Sequence, residues 1–426
     1  MKKILIKAVF ELASPLCVSS GNEGNTDKDV IKDFNGDVFI PGTSIAGALR
    51  QYLTESEHKK VFGYTEKLDT GETVSVESAL TVYDAEIKNP PQIGLRDGIA
   101  LDDFKITIPK KKFDYEIIET GAQVTFRFQF KQQDSDPDLT KYLKRLILAI
   151  ERGDIRFGSK KNRGLGRLKL TKSDDGKFEI YKSEFTKENI RKYFEFDWEK
   201  MDKWELGTND GQADKPKYKK MTIPLKLSGG ISVRTYSAKP DAPDYTHIKC
   251  NGQPVIPGST WNGAIRHRTK EILFELGVSA CKTESLLDDI FGAKSGDPNA
   301  SASKIVFSES IIEGGVDVPM TRNKIDRFDG STMDGALYSE VSHFGGTCDL
   351  EIMLIDDEST KWVWGLMVLV IKDIQHGFLS VGGQTAVGRG LFTNSDKIQI
   401  CGETEYIKAL NNQLKSLGLG ENLIAV

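Results

Sequence analysis

Ile155 to Leu170 reads IRFGSKKNRGLGRLKL, and Leu379 to Phe392 reads LSVGGQTAVGRGLF. Both stretches carry glycines in a G-x5-G-x-G frame: Gly158, Gly164 and Gly166 in the first, Gly382, Gly388 and Gly390 in the second. These three pairs stand 224 residues apart, and Gly121 with Gly345 and Gly153 with Gly377 keep the same offset. With 40 glycines in 426 residues, five pairs at one offset are not a product of composition. A second stretch repeats at an offset of 216, Ile40 to Arg50 (IPGTSIAGALR) and Ile256 to Arg266 (IPGSTWNGAIR). The chain is therefore a tandem duplication, and its fold has to be sought in the repeated unit.

The length and a hydrophobic share of 38% allow two ordinary cores. The boundaries suggested are a first unit over 1–175, a linker over 176–218, a second unit over 219–402 and a C-terminal helical tail over 403–426. Cys17, Cys250, Cys281, Cys348 and Cys401 are scattered without a C-x-x-C pair, so neither a disulfide framework nor a structural zinc is expected, in keeping with a reducing cytoplasm. The net charge of -4 argues against a uniformly basic nucleic-acid binder, yet Arg156, Lys160, Lys161, Arg163, Arg167 and Lys169 fall in one stretch without an acid. A basic groove on an acidic protein is expected.

The N-terminus resembles a secretory signal superficially, but Lys7 and Glu11 interrupt its apolar run. Ile4, Ile6, Ala8, Phe10 and Leu12 alternate with those charges at the period of a half-buried strand, and Ile223, Leu225 and Leu227 alternate with Thr222 and Lys226 at the start of the second unit. No stretch is long enough to span a membrane, and no membrane association is expected. A polar loop, Ser19 to Asp37, then leads to Ile40-Pro41-Gly42. There Thr43 or Ser44 can cap a helix carrying Ile45, Ala48, Leu49, Tyr52 and Leu53, matched by Ser259 or Thr260 ahead of Trp261, Ala264, Ile265 and Ile272. Gly47 and Gly263 sit inside these helices at a cost of about 1 kcal/mol each against Ala. Either an outside backbone approaches there or the helix packs closely on a sheet.

Strands are expected at Thr81 to Glu86, Val124 to Phe130, Lys304 to Ser308 and Leu350 to Leu354. Between them lie insertions with the composition of projecting hairpins, one holding Arg96-Asp97-Gly98-Ile99 and Lys110-Lys111-Lys112, the other Arg322-Asn323-Lys324-Ile325 and Arg327. A second helix follows in each unit, with Leu139, Tyr142, Leu143, Leu146 and Ile150 on one face before Gly153, and Trp362 to His376 before Gly377. The last strands are Arg167 to Leu170 and Leu391 to Phe392. The order strand, helix, two strands, helix, strand predicts an α+β chain of two tandem ferredoxin-like domains, each with an inserted hairpin and a glycine-rich loop. That loop admits two readings: glycines of positive φ that bring N–H groups to phosphates, or a tight turn between helix and strand. It is neither a Walker A loop nor a dinucleotide-binding turn.

The IPG-[ST]-[ST] segment that opens a helix, the R-x-G-I insertion and the terminal glycine loop resemble the RAMP (repeat-associated mysterious protein) superfamily of CRISPR systems. In order and in duplicate, they look like the backbone subunits of type III effector complexes, in a fused double form similar to type III-D proteins. The resemblance implies a subunit that binds CRISPR guide RNA, pairs it with complementary target RNA, cuts that target, and assembles with other backbone subunits and a large subunit. It implies guide contacts at Arg50, Arg266, Lys160, Lys161, Arg163, Arg167 and Arg389 and at the loop glycines, with Arg96, Arg322 and Arg327 at the base of hairpins that wedge into the guide–target duplex.

It also implies one cutting Asp per unit, in the loop after the first strand. Asp27-Lys28-Asp29-Val30-Ile31-Lys32-Asp33 fits that setting; Asp244-Tyr245-Thr246-His247-Ile248-Lys249-Cys250 keeps the Asp-to-Lys spacing but has Cys250 for the second acid, with Asp241 as rival. RNA brings its own 2′-OH nucleophile, so Asp27 and Asp244 are expected to position a divalent ion such as Mg²⁺ or to act as weak bases. The alternatives are a noncatalytic guide-coating scaffold and a guide-processing ribonuclease that uses His267 or His247.

Overall fold

The computed structural model describes residues 2–19, 21, 26–67, 71–88, 93–102, 106–132, 138–206, 215–236, 242–293, 301–393, 400–419 and 424. The chain divides into two compact units, Met1–Arg96 with Phe113–Lys161 and Leu165–Pro216, and Asp97–Lys112 with Asn162–Gly164 and Lys217–Val426.

The first unit begins with β1 (Lys2–Leu12) and α1 (Gly42–Tyr52), followed by β2 (Leu80–Val82). A hairpin of β3 (Ile93–Leu101) and β4 (Thr107–Ile118), of which Asp97–Lys112 is grouped with the second unit, leads into β5 (Gln123–Gln132), α2 (Thr140–Arg152) and β6 (Leu168–Leu170). The central sheet runs β6-β1-β5-β2, all antiparallel, with Phe10 opposite both Leu170 and Val124. That is the strand order 4-1-3-2 of a ferredoxin-like βαββαβ unit. Its core gathers Phe10, Phe126, Phe128 and Phe130 from the sheet with Ile45 and Leu49 of α1 and Leu143, Leu146 and Ile150 of α2.

β1 departs from the half-buried strand expected of it. Lys7 is only 6% exposed, its ammonium 3.1 Å from Glu199 Oε2 and over the Tyr181 ring. The cause is residues 176–218, read from the sequence as a linker. They carry β7 (Ile180–Phe185), which pairs with β1 from Lys3 opposite Phe185 to Ala8 opposite Ile180. Phe185, Tyr193, Phe196, Trp198 and Met201 then cover the face of β1 that presents Leu5. Residues 176–206 are a structural part of the first unit, whereas Lys217 and Tyr218 belong to the second.

The second unit repeats the plan with β8 (Tyr218–Ser228), β9 (Tyr245–His247), α3 (Gly258–Glu275) and β10 (Ile305–Phe307). Its hairpin, β11 (Val316–Arg322) and β12 (Tyr338–Phe344), precedes β13 (Thr347–Ile355), α4 (Lys361–Gln375) and β14 (Leu391–Thr393). The sheet order β14-β8-β13-β10 is the same 4-1-3-2, and here the first strand does alternate, with Ile223, Leu225 and Leu227 buried. The C-terminal helix α5 (Glu403–Ser416) packs its Tyr406, Ile407, Leu410 and Leu414 into this core. Gly365 of α4 lets it approach, since a Cβ there would lie 2.6 Å from the Tyr406 carbonyl oxygen.

The expected caps are corrected in both units. α1 starts at Gly42 after Pro41, and α3 at Gly258 after Pro257, so Thr43, Ser44, Ser259 and Thr260 lie within the helices' first turns. Glycine is required because the helix starts against the end of the second sheet strand: a Cβ at Gly42 would lie 2.6 Å from the Val82 carbonyl oxygen, and one at Gly258 2.2 Å from that of Phe307. Gly47 and Gly263 are different. Both are exposed, and a Cβ at either would meet nothing within 4 Å, so close helix-to-sheet packing does not account for them.

Candidate active site

The two glycine loops share one backbone. Gly158, Lys160, Gly164 and Gly166 have positive φ, and so do Gly382, Gln384, Gly388 and Gly390 at the same spacing. Short 3-10 turns, Lys161–Arg163 and Thr385–Val387, occupy the same place in each. The loop closes on itself: the Phe157 N–H donates to the Gly166 carbonyl and the Val381 N–H to that of Gly390, both at 2.9 Å. A Cβ at Gly166 or Gly390 would lie 1.8 Å from the carbonyl oxygen of the same partner residue. The loop is also seated on the chain after the first strand. Ser159 and Gly383 donate to the carbonyls of Cys17 and Ser232 at 2.8 and 2.7 Å, and Gly166 and Gly390 to those of Pro15 and Gly230 at 2.9 and 2.8 Å. These glycines therefore meet internal steric demands. Gly388, with nothing within 4 Å of an added Cβ, has no such demand beyond its φ of 80°.

The residue of positive φ inside each loop reaches the returning hairpin strand. Lys160 places its ammonium 4.1 Å from the Phe113 ring centroid and 4.2 Å from that of Tyr115. Gln384 Nε2 instead donates to Glu340 Oε2 at 2.5 Å. Glu340 is 1% exposed, and Arg322 pairs with its Oε1 at 3.1 Å. The contacts differ in chemistry, but each ties the glycine loop to the strand that runs back from the hairpin.

The neighbouring residue of that strand holds the candidate Asp. The Asp27 N–H donates to Asp114 Oδ1 and the Asp114 N–H to Asp27 Oδ2, both at 3.0 Å. In the second unit the Ser339 N–H donates to Asp244 Oδ2 at 2.8 Å, the Ser339 hydroxyl to the same oxygen at 3.2 Å, and the Asp244 N–H to Ser339 Oγ at 3.3 Å. The same reciprocal clip thus recurs, with Asp114 and Ser339 in the same role. Both candidate Asp residues are exposed, so their carboxylates are presented to solvent beside a strand that fixes their backbone. Asp241, the rival position, and Glu23 of the first loop lie outside the described residues.

The cationic candidates fall into distinct settings. Lys161, Arg163 and Arg167 are partly exposed on or beside the first loop, and Arg50 is exposed on α1. Arg389 lies over the Phe344 ring at 4.5 Å, and Arg327 is exposed near the second hairpin's tip beside Phe328, itself 87% exposed. Arg266 is engaged within its own unit, donating to Asp288 Oδ1 at 2.8 Å and to the Leu287 and Gly292 carbonyls. Arg96 is 4% exposed, and Arg322 is held by Glu340. As they stand, these last three serve the packing of helix and hairpin bases; an RNA contact by any of them requires that those partners be given up.

Histidine is poorly placed for chemistry on RNA. His247 is 2% exposed; burial, aided by neighbouring His343, lowers its pKa to about 4, and its Nδ1 accepts from the Val233 N–H at 3.1 Å. His267 lies 3.4 Å from Glu271 on α3.

The RAMP superfamily model matches residues 9–169 and 244–393, which together make up most of the chain. The chain belongs to the RAMP superfamily. The two matched regions correspond to the two ferredoxin-like units, so this is a tandem RAMP protein, and the second match opens at Asp244. RAMP proteins are in general CRISPR-associated and RNA-binding. No curated protein matches the chain. No helix among the described residues of this RAMP chain is long and apolar enough to cross a membrane.

The fit of a divalent ion follows from the donor set. Hard oxygen donors suit Mg²⁺, and the first RAMP unit brings two carboxylates together at Asp27 and Asp114, whereas the second offers Asp244 beside the Ser339 hydroxyl. No group of three or more His, Cys, Asp or Glu side chains able to hold an ion occurs among the described residues. An ion at Asp27 or Asp244 would have to complete its shell with water and RNA phosphate oxygens, as Mg²⁺ commonly does.

Proposed function

We propose that this tandem RAMP chain is a guide-RNA-binding backbone subunit of a type III CRISPR interference complex, in a double form similar to type III-D, and cuts bound complementary RNA at two places. The observation that carries this reading is the repeated exposed Asp, held by one reciprocal clip in both units. A loop Asp serving only solubility has no reason to recur with its backbone fixed to the same strand. The partners expected are guide RNA, target RNA, and other backbone and large subunits; the compartment expected is the cytoplasm.

RNA cleavage needs little from the protein besides placement. The 2′-oxygen attacks the adjacent phosphorus as the 5′-oxygen leaves, and both must lie in line. Asp27 and Asp244 each present a carboxylate that can take the 2′-proton or hold the divalent ion that neutralises charge building on the phosphate. Each hairpin carries exposed apolar side chains able to intrude between bases, Phe328 and Ile325 on one and Leu95, Ile99 and Ile106 on the other. Such a wedge would open the backbone beside the displaced base. Lys161, Arg163 and Arg167 are then guide-phosphate contacts that fix register without reading sequence.

Burial of His247 and the pairing of His267 disfavour a histidine-based guide-processing ribonuclease. A scaffold that only coats guide RNA is separated by one assay. The assembled complex, given a guide-matched RNA under single-turnover conditions, should produce two cuts, and a mismatched RNA none. Tight target binding without cutting would establish the scaffold reading, and cleavage of guide precursor by this chain alone would establish the third.

A further inference from the structure

We infer that Asp114 and Ser339 are positioning residues for the two cutting sites, each holding the Asp-bearing loop of its unit to the strand that returns from the hairpin. The inference rests on the proposed cutting role of Asp27 and Asp244. It adds that hairpin and cutting loop form one mechanical unit, so that the element read as a wedge also sets the position of the carboxylate.

Three features of the geometry support it. First, the clip is reciprocal: the backbone N–H of residue 114 or 339 reaches the Asp carboxylate, while its side chain receives the Asp backbone N–H. One oxygen of each carboxylate, Oδ2, is engaged, and no described hydrogen bond reaches Oδ1. Second, the clip survives a change of residue. Asp and Ser share only a short side-chain oxygen able to accept an N–H, and that is the feature used in both units. Third, adjacent strand residues point to opposite sides, and the next residue in each case, Tyr115 or Glu340, is buried and takes the glycine-loop contact from Lys160 or Gln384. One two-residue segment of the returning strand therefore ties down both the loop that carries the cutting Asp and the loop read as gripping phosphate. In the first unit the Asp loop is further held by the Glu116 N–H donating to the Lys28 carbonyl at 3.0 Å and the Val30 N–H to Glu116 Oε2 at 2.9 Å.

The test uses the assembled complex with guide and matched target. Asp114→Ala removes the acceptor for the Asp27 N–H and should slow the cut assigned to Asp27 by roughly 10- to 100-fold, the range expected when a reacting group shifts by about 1 Å. Target affinity and the other cut should stay at wild-type values. Asp114→Ser, which recreates the arrangement of the second unit, should restore the rate; Ser339→Ala should slow only the cut assigned to Asp244, and Ser339→Asp should restore it. Backbone amide hydrogen exchange at Asp27 and Asp244 reads the clip directly and should quicken in the Ala variants alone. Unchanged exchange and unchanged cutting in both Ala variants overturn the inference. So does an Asp114→Ala defect that Ser does not repair, because a shared acceptor role would then be excluded. A wild-type complex that cuts nowhere, with exchange still governed by residues 114 and 339, removes the cutting role and with it the positioning of a reaction, while the clip itself would stand.

Discussion

Gly47 and Gly263 offer a test in which stability and function are expected to move in opposite directions. Each sits in the interior of the first helix of its unit, exposed, with nothing within 4 Å of the place a Cβ would take. Neither has positive φ. Replacing either with Ala therefore adds a methyl group without a clash inside the chain and removes the entropic cost of helical Gly, a gain of about 1 kcal/mol per site. For a unit of this size that is an increase of roughly 2–4 °C in Tm per substitution. A fold indifferent to what lies outside would have no use for Gly at both positions. If the guide backbone runs over this face, the methyl group pushes it away and weakens a neighbouring charge-assisted contact, worth about 1.5–3 kcal/mol, or roughly 10- to 100-fold in affinity. Calorimetry of Gly47→Ala and Gly263→Ala, alone and combined, gives the first quantity, and titration with guide RNA at fixed salt gives the second. Stabilised variants with unchanged guide affinity would refute the reasoning that this face receives RNA. Destabilised variants would refute the helix geometry from which it starts.

The glycine loops should discriminate sharply among their own glycines: Gly390→Ala, with a Cβ 1.8 Å from the Val381 carbonyl oxygen, should cost several times the roughly 1–2 kcal/mol of left-handed strain expected for Gly388→Ala, as measured by urea unfolding. Alanine at Lys160, Lys161 and Arg163 together should weaken guide binding regardless of sequence and reduce the slope of log affinity against log salt by roughly 2 to 3; an unchanged slope would make the loop purely structural. Removing the carboxylate of Glu340 by Glu340→Ala takes away the charged partner of Arg322 at 3.1 Å and of Gln384, and should destabilise the second unit by about 1.5–3 kcal/mol, since the half-buried Arg322 can turn to water; chemical denaturation can read it. Because burial holds the His247 pKa near 4, below the unfolded value of about 6.5, the unfolded state binds the proton first as pH falls. The second unit should thus lose about 3 kcal/mol between pH 6.5 and pH 4, and His247→Gln should flatten that part of the stability–pH curve.

Much of the plan is legible because it is local and repeated. The 3.6-residue pattern from Leu139 to Ile150 and the stop at Gly153 yield α2, and the duplicate offsets place its counterpart α4. The insertions were recognisable as hairpins from their length and polarity. What stayed hidden depends on residues far apart in sequence. Lys7 reads as a solvent-facing charge until Tyr181 and Glu199 are seen to enclose it, so the strand that covers β1 passes for a linker. Arg266 and Arg322 read as free cations because Asp288 and Glu340, their partners, lie in other elements. The clip is the clearest instance. Asp27 and Asp114 stand 87 residues apart, and only the return of the hairpin brings them together. The one signal in the sequence is an aromatic followed by a short oxygen-bearing residue, Phe113-Asp114 and Tyr338-Ser339, just before each unit's third sheet strand.

The central claim is most directly tested by following two product bands from one guide-matched RNA as each Asp is changed. The complex with Asp27→Asn should lose one band, slowed by roughly 10² to 10⁴ fold, and keep the other; Asp244→Asn should do the converse, and neither should alter target affinity. A chelator should stop both cuts if the carboxylates work through a divalent ion and spare them if they work as bases. Equal loss of both bands from either substitution, or loss of the second band with Asp241→Asn but not with Asp244→Asn, would contradict the assignment of one Asp to each repeated site.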